Sequence, residues 1–236
     1  LWRAWHEAGV IPSNVRLAIS AGAPLPLELE ADIFKVSGLK IHNFYGSTEC
    51  GGIAYDDSAS PRGDAGCVGR PMANVSVAVE ESGRLAVQGA NVGQTYWPEP
   101  TPELAGGRFQ TSDLAELREG LVFLRGRASD LINVAGRKVS PGTIEQVILQ
   151  HPAIAACLVF GVPDVEAQRG ESIVACVEAK ADVSPDALRQ FLLERLPAWQ
   201  VPRQWWFVES LTANARGKIS RANWRDRFLR SNARPA

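Results

Sequence analysis

The chain has 236 residues, of which 45% are apolar and 22% are charged, and its formal net charge is −1. This length suits one large domain or two ordinary ones, and the apolar fraction is enough for a packed core. The near-neutral charge gives no electrostatic argument for binding nucleic acid or an anionic membrane, and no apolar run approaches the ~20 residues of a membrane-spanning helix.

The four cysteines show no C-x-x-C spacing, and a chain of this length does not need disulfides. We interpret them as free thiols in a reducing compartment, predict a cytoplasmic location and expect no metal cluster. The chain begins with Leu1 and not with methionine, which suggests a fragment or a processed product.

The first part of the chain alternates helix and strand patterns. "LWRAWHEAG" predicts a helix that ends at Gly9, and "VRLAIS" predicts a strand at residues 15–20. "LELEADIFKV" predicts a helix with prolines at its entry, and "GLKIHNFY" predicts a second strand. This order is typical of a parallel α/β sheet, in which the loops gather at the carboxyl ends of the strands.

From residue 66 the pattern changes to short strands. "NVSVAVE" and "GRLAVQG" flank "ESG" as in a hairpin, and "FQTSDLAEL" and "GLVFLRGR" add two strands. We expect this segment to be antiparallel and barrel-like.

A third pattern starts near Asp130. "DLINVAGRKVS" predicts a hairpin bent at Ala135–Gly136, and helices and strands follow, including a helix with Ser184 as its N-cap. We therefore predict an α/β (α+β) protein with two parts, an incomplete large domain at residues 1–129 and a small α/β domain at residues 130–236. The tryptophans of "WQVPRQWWFV" are expected to pack beneath the small domain.

The stretch "NFYGSTECGG" combines the parts of a nucleotide site. Tyr45 offers an aromatic face on which a heterocycle can stack, and Gly46 lets the backbone approach a ligand closely. The hydroxyls of Ser47 and Thr48 suit phosphate oxygens, and Glu49 suits Mg²⁺. The alternative is an ordinary polar turn after a buried strand.

Three further charged residues are candidates. "TSD" places Asp113 just beyond a predicted strand, where it could accept from ribose hydroxyls, and Arg127 of "RGR" could hold the same sugar or a phosphate. "NARGKIS" places Lys218 on a glycine-containing loop before a helix. Taken alone, each residue is better explained as a solvated surface charge.

The order of these motifs resembles the adenylate-forming (AMP-binding) superfamily of acyl-CoA synthetases, luciferases and peptide-synthetase adenylation domains. The motifs are "YGSTE", "TSD", "GRASDLINVAGRKVSPGTIE", "GVPD" and "ARGKISR", and the resemblance covers nearly the whole chain, as the C-terminal part of such an enzyme. "SAGAPL" is similar to the family's loop beside the adenine and acyl pocket.

The resemblance implies roles in nucleotide binding for the large domain. Gly22 and Ala23 would line the adenine side of the pocket, and Tyr45 would stack on adenine. Thr48 would bind the α-phosphate, and Glu49 would hold Mg²⁺.

It also implies roles for later residues. Asp113 would take the ribose hydroxyls, with Arg127 beside it. Asp130 would be the hinge about which the small domain rotates between half-reactions. Lys218 would bridge carboxylate and phosphate during adenylation, and Gly136 would face the site, near the pantetheine channel, in the second half-reaction.

The implied function is an ATP-dependent acid–CoA ligase of the acyl/aryl-CoA synthetase type. It would use ATP, Mg²⁺ and CoA, form an acyl-AMP from a small-molecule carboxylic acid and then form a thioester. Two alternatives stay open: delivery to a carrier-protein thiol, and a non-catalytic half that needs a partner chain.

The chain departs from the family pattern in three ways. Ser112 and Thr212 stand where the family usually has glycine and proline, and neither change removes a functional group. The family's glycine-rich phosphate loop has no match here and is expected upstream of residue 1. We therefore expect an open sheet edge and an exposed core face, and the missing N-terminal part is a candidate separate chain.

Overall fold

A computed structural model of the chain describes residues 1–164, 170–211 and 219–232. It divides into two compact units, Leu1–Arg125 and Gly126–Ala236. The predicted domain boundary between residues 129 and 130, and the hinge at Asp130, stay predictions.

The first unit begins with two helices and a pair of parallel strands. These are α1 (Trp2–Glu7), β1 (Ala18–Ala21), α2 (Leu27–Ser37) and β2 (Ile41–Ser47). Ala18 lies opposite Ile41, and both side chains pack with Ile33 of α2 in one buried cluster. The predicted order of helices and strands is confirmed, and β1, α2 and β2 bury their apolar residues against one another in this cluster.

Six more strands extend this sheet. They are β3 (Gly51–Tyr55), β4 (Cys67–Pro71), β5 (Val75–Val79), β6 (Arg84–Gly89), β7 (Arg108–Arg118) and β8 (Leu121–Arg127), and the sheet order is β1-β2-β3-β4-β8-β7-β6-β5. The predicted β5–β6 hairpin is confirmed, with Val77 opposite Val87.

The mixed α/β class is confirmed, as are the parallel pairing at the start of the chain and the antiparallel strands that follow, with one correction. Within the described part of this sheet, β1 and β2 are parallel, and the pairs β2–β3, β3–β4, β4–β8, β5–β6 and β6–β7 are antiparallel. The antiparallel strands do not make a separate barrel-like element: they continue the same open sheet, whose outer strands are β1 and β5. Strands β3 and β4 were missed because they are short and interrupted by glycine.

The second unit contains a hairpin, a three-stranded sheet and three helices. Its elements are β9 (Ile132–Val134), β10 (Arg137–Val139), α3 (Pro141–Ile148), β11 (Ile154–Pro163), β12 (Glu171–Ala179), α4 (Pro185–Leu193), β13 (Gln204–Val208) and α5 (Arg221–Asn232). In the three-stranded sheet, β11 and β12 are antiparallel and β12 and β13 are parallel. The predicted N-cap is confirmed, since the Ser184 hydroxyl accepts from the Ala187 N–H at 3.2 Å.

Both faces of the three-stranded sheet are covered, which explains why β11 is apolar throughout and β12 is apolar at residues 173–177. Ile173 and Ala175 of β12 belong to the cluster that includes α3 and α4, whereas Val174 and Cys176 belong to the cluster that includes α5. Side chains of adjacent residues in a strand point to opposite faces of the sheet, so β12 contributes to both hydrophobic cores.

The tryptophans pack as predicted. The rings of Trp206 on β13 and Trp224 on α5 meet edge to face, with their centroids 5.5 Å apart. Trp199 and Trp205 pack against the core cluster on the other face of the sheet. No described helix is long and apolar enough to cross a membrane.

The β9–β10 hairpin turns at Ala135 and Gly136, as predicted, because Val134 lies opposite Arg137. Both turn residues have positive φ, 49° at Ala135 and 85° at Gly136. The Asn133 side-chain oxygen accepts from the Gly136 N–H at 3.0 Å and helps to close the turn. Positive φ is unfavourable for alanine because its Cβ crowds the backbone.

We expect Ala135→Gly to raise the free energy of unfolding by up to about 1 kcal/mol, since glycine adopts this backbone conformation without the steric cost. Urea-induced unfolding measures the change. The matched control is Ala222→Gly on the exposed face of α5, which should lower the free energy of unfolding. A loss of stability in both variants would contradict the assignment of strain to Ala135.

Candidate active site

The turn after β2 carries the first group of candidate residues. Tyr45, Gly46 and Ser47 end β2, and Thr48 and Glu49 lie in the turn that leads to β3. The Ser47 hydroxyl accepts from the Cys50 N–H at 3.2 Å. The predicted position of this motif at a strand end is confirmed, and the structure adds that the turn closes a β2–β3 hairpin.

Gly46 is required by the hairpin itself. A Cβ at this position would lie 2.3 Å from the carbonyl oxygen of Gly51 on β3. No side chain fits there, because real Cβ atoms do not approach a backbone oxygen so closely. The close backbone approach that the sequence predicted is therefore between two strands, and the role of Gly46 in ligand binding stays a prediction.

Gly22 and Ala23 follow the carboxyl end of β1. Strand β1 ends at Ala21, which lies opposite Phe44 of β2, and Gly22 then turns the chain with a φ of 83°. Because β1 and β2 are parallel, the loops after both strands leave from the same edge of the sheet. This edge is where ligands bind in α/β sheets.

Asp113 does not lie beyond a strand, as the sequence predicted, but within β7. Gln110 pairs with Ala86 and Leu114 pairs with Arg84, so residues 111–113 lie opposite Leu85 alone. This is a β-bulge. The Thr111 hydroxyl accepts from the Asp113 N–H at 3.1 Å inside the bulge. Bulges redirect side chains, and this one turns an interior strand residue towards β2.

The bulge brings Asp113 to Tyr45. The Tyr45 hydroxyl donates to Asp113 Oδ2 at 2.6 Å, across 68 positions of sequence. Both residues are half-buried, and the Tyr45 ring packs against the core of the antiparallel strands. A hydrogen bond to a carboxylate at this distance is of the strong, charge-assisted kind. This hydrogen bond holds the aromatic ring of Tyr45 close to the carboxylate of Asp113.

Glu49 has a partner that the sequence analysis missed. The Tyr96 hydroxyl donates to Glu49 Oε1 at 3.1 Å. Burial, this hydrogen bond and the charge of Glu49 together raise the pKa of Tyr96. Tyr96 therefore stays protonated and donating at neutral pH. The contact spans 47 positions, and no local pattern in the sequence signals it.

The carboxylate of Glu49 is an oxygen ligand of the kind that Mg²⁺ prefers. The described residues contain no group of three or more His, Cys, Asp or Glu that could hold a metal ion by itself. Mg²⁺ usually takes one or two carboxylates and completes its octahedron with phosphate oxygens and water. One carboxylate oriented by Tyr96, in the same turn as Thr48, agrees with that chemistry.

The remaining candidates belong to the second unit or lie outside the described residues. Arg127 is the last residue of β8, Asp130 lies in the 3₁₀ turn Ala128–Asp130, and Gly136 lies in the β9–β10 turn. Asp130 accepts from Arg221 of α5 at 2.5 Å. Lys218 falls outside the described residues.

Comparison with known proteins agrees with these motifs. The profile of the family "AMP-binding enzyme" matches residues 3–97, and the profile "AMP-binding enzyme C-terminal domain" matches residues 143–218. The two profiles follow one another in the order expected for one enzyme family and together match most of the chain. The chain belongs to the AMP-binding enzyme family.

Three relatives illustrate this AMP-binding family. The 2-succinylbenzoate–CoA ligase of Geobacillus kaustophilus is 34% identical over 89% of the chain and 46% of that protein. The fatty acid–[acyl-carrier-protein] ligase ScoC of Streptomyces coeruleorubidus is 32% identical over 94% of the chain and 46% of that protein. The structure of o-succinylbenzoate CoA synthetase from Bacillus subtilis, in complex with the acyl-adenylate intermediate OSB-AMP, superposes with a TM-score of 0.79.

The sequence of that synthetase is 27% identical to this chain, and the superposition includes 95% of this chain and 49% of the synthetase. The chain therefore spans just under half the length of each of these three proteins.

The chain also contains a cluster of four buried charges that were not predicted from the sequence. Its members are Glu30, Lys40, Asp56 and Arg62, and none is more than 9% exposed. Lys40 pairs with Glu30 and, at 2.6 Å, with Asp56, while Arg62 donates to Glu30 at 2.8 Å. Two cations and two carboxylates balance, as buried charges must.

The cluster supports the edge of the sheet that carries the candidate site. Arg62 donates to the carbonyl oxygens of Leu25, at 2.9 Å, and of Cys67, at 2.7 Å. It thereby ties the loop after β1 to the start of β4. Burial alone would raise the pKa of Asp56, but the hydrogen bonds from Lys40 and Ser58 and the charge of Lys40 together outweigh burial, and the pKa is lowered. Asp56 is therefore ionised at neutral pH.

We expect Arg62→Met to lower the free energy of unfolding by about 3–5 kcal/mol, because it leaves Glu30 buried with an unbalanced charge. Urea-induced unfolding at pH 7 measures this loss. The control is Arg108→Met, which removes an exposed ion pair with Glu80 and should change stability by less than about 1 kcal/mol. Equal losses would show that the buried cluster contributes no more than a surface pair.

Proposed function

We propose that the protein is an ATP-dependent acid–CoA ligase. In the first step the carboxylate attacks the α-phosphorus of ATP, giving acyl-AMP and releasing pyrophosphate. In the second step the thiol of CoA attacks the acyl carbonyl, giving the thioester and releasing AMP. The observation that carries the proposal is the contact of Tyr45 with Asp113, at 2.6 Å, beside the turn that holds Thr48 and Glu49.

Most of the proposed contacts to the nucleoside come from the first unit. The Tyr45 ring offers a face for adenine, and base–aromatic stacking contributes roughly 1–3 kcal/mol. The Tyr45 hydroxyl orients the Asp113 carboxylate, whose role is to accept from the ribose hydroxyls. The loop at Gly22 and Ala23 leaves from the same sheet edge and would line the adenine side. Arg127 would hold the sugar or a phosphate.

The reacting phosphate would be held by the turn after β2. Negative charge grows on the phosphate oxygens during adenylation, so preorganised donors and cations lower the barrier. The Thr48 hydroxyl would donate to the α-phosphate, and Glu49, oriented by Tyr96, would hold Mg²⁺. A bound Mg²⁺ supplies positive charge against the phosphate oxygens.

The two steps would use different parts of the second unit. Lys218 would bridge carboxylate and phosphate in the adenylation step, and the turn at Gly136 would face the pantetheine thiol in the thioester step. A rotation about Asp130 would exchange them, so that one nucleotide site serves both steps.

The acceptor thiol has a second candidate. A relative is a fatty acid–[acyl-carrier-protein] ligase, which favours delivery to a carrier protein as the alternative to free CoA. Comparing thioester formation with CoA and with a phosphopantetheinyl carrier protein distinguishes them. The four cysteines, which the structure leaves as free thiols, agree with the proposed cytoplasmic location.

We expect Asp113→Asn to weaken AMP binding to the 236-residue chain about 10–100-fold, since hydrogen bonds to a charged group contribute about 1.5–3 kcal/mol. Isothermal titration calorimetry with AMP gives the dissociation constants. Asp57→Asn, at an exposed site on the same unit, is the control and should bind as the unsubstituted chain does. An absence of heat from ATP and AMP with the unsubstituted chain would favour the non-catalytic half that needs a partner chain.

We expect Lys218→Ala in the complete protein to abolish acyl-AMP formation but largely spare thioester formation from supplied acyl-AMP. The lysine charge is needed while phosphorus is attacked, and one such donor is typically worth ~10²–10³ in rate. ATP–pyrophosphate exchange measures the first step, and thioester release from synthetic acyl-AMP measures the second. Equal losses in both steps would contradict the role given to Lys218.

A further inference from the structure

The loop that follows β6 reaches the turn between β2 and β3, although β6 is not a neighbour of either strand in the sheet. We call residues 91–96 the bracing loop. Its first residue, Asn91, donates through Nδ2 to the carbonyl oxygens of Cys50, at 2.6 Å, and of Gly52, at 3.1 Å. These two hydrogen bonds attach the loop to the end of the turn and to the start of β3.

The bracing loop also holds Glu49 at both its backbone and its side chain. The Gly93 N–H donates to the Glu49 carbonyl oxygen at 2.7 Å, and the Tyr96 hydroxyl donates to Glu49 Oε1 at 3.1 Å. Because Gly93 and Tyr96 are close in sequence, one short segment fixes both ends of this glutamate.

The bracing loop is itself anchored in the core of the first unit. Val92 is 6% exposed and belongs to the same buried cluster as Cys50, and the Tyr96 ring packs against that cluster. The Asn91 side chain lies against Gly89, where a Cβ would come within 2.4 Å of Asn91 Oδ1. Core packing therefore holds the donors of the loop in place without a ligand.

Such an arrangement matters most for a carboxylate that binds a metal ion. A glutamate side chain has several rotatable bonds, and ordering them when a ligand binds costs conformational entropy. The contacts from Gly93 and Tyr96 order Glu49 in advance. Residues that orient the ligands of a metal typically contribute about 10–100-fold to metal affinity. Their contribution to nucleotide binding therefore depends on the presence of the metal.

We propose that the bracing loop sets the metal dependence of nucleotide binding, with Asn91 and Tyr96 as positioning residues that act through Glu49. The inference rests on the proposed function of Glu49 as the ligand of Mg²⁺. Asn91 holds the backbone of the turn, and Tyr96 holds the carboxylate. A loop that only stabilised the fold would instead contribute equally to ATP binding with and without Mg²⁺.

The test measures ATP binding to the complete protein by isothermal titration calorimetry, without a carboxylic acid, so that no acyl-AMP forms. Each variant is titrated once in excess Mg²⁺ and once in EDTA, and the two dissociation constants are compared. The variants are Tyr96→Phe, Asn91→Ala, Glu49→Gln and the double variant Glu49→Gln/Tyr96→Phe. The control is Tyr55→Phe, which removes the same hydroxyl from a half-buried ring on β3 that stacks on His42.

We expect Tyr96→Phe to weaken ATP binding in Mg²⁺ about 10-fold or more, because the carboxylate loses its orientation while the ring keeps its packing. In EDTA its dissociation constant should stay within about twofold of the unsubstituted protein. Asn91→Ala should show the same pattern with a smaller loss, about 3–10-fold in Mg²⁺, since Gly93 still holds the Glu49 backbone. It tests the proposal independently if Tyr96→Phe does not fold. Tyr55→Phe should leave both dissociation constants unchanged.

The double variant separates the proposal for the loop from the proposed role of Glu49. It should bind ATP in Mg²⁺ as Glu49→Gln does, within about twofold, because residues that act through one group are not additive. If Glu49→Gln loses the Mg²⁺ dependence but Tyr96→Phe keeps it, or if Tyr96→Phe weakens binding equally in Mg²⁺ and EDTA, the proposal for the loop is overturned alone. If Glu49→Gln keeps the full Mg²⁺ dependence, the proposed role of Glu49 fails, and that of the loop with it.

Discussion

The hydrogen bond between the Tyr45 hydroxyl and the Asp113 carboxylate is the contact on which the candidate site depends. It joins the end of β2 to the middle of β7, two segments that are 68 positions apart and not neighbours in the sheet. Two local devices make it possible. The β2–β3 hairpin, closed where Gly46 meets Gly51, presents Tyr45, and the bulge opposite Leu85 redirects Asp113. The same hairpin turn carries Thr48 and Glu49, so one contact places base, sugar and phosphate candidates together.

Features that depend on local sequence were predictable. The helices and most strands follow from apolar periodicity, and the β5–β6 hairpin follows from turn residues between alternating strands. Ser184 caps α4 because its hydroxyl reaches an N–H of the same turn. The site motif could be placed at a strand end for the same reason: a run of apolar residues stops where polar ones begin.

Features that depend on distant pairings were not predictable. The bulge at Asp113 exists only because β6 fixes the register of β7, so a strand that seemed to end continues. Tyr96 lies 47 positions from Glu49, Arg62 lies 32 from Glu30, and Arg221 lies 91 from Asp130. The sequence around each of these side chains does not show whether it is buried or which residue it contacts, because its partner is distant in the chain. The buried charges of Glu30, Lys40, Asp56 and Arg62 hold together the segments that carry the candidate site, and no local sequence pattern indicates their burial.

The most direct test of this account is a crystal structure of the chain with bound AMP. The account predicts that the adenine lies against the Tyr45 ring and that an Asp113 carboxylate oxygen lies within hydrogen-bonding distance, about 2.5–3.0 Å, of a ribose hydroxyl. It also predicts that the phosphate lies beside Thr48. AMP bound elsewhere on the chain, or a nucleotide that leaves Asp113 without a contact to the sugar, would contradict it.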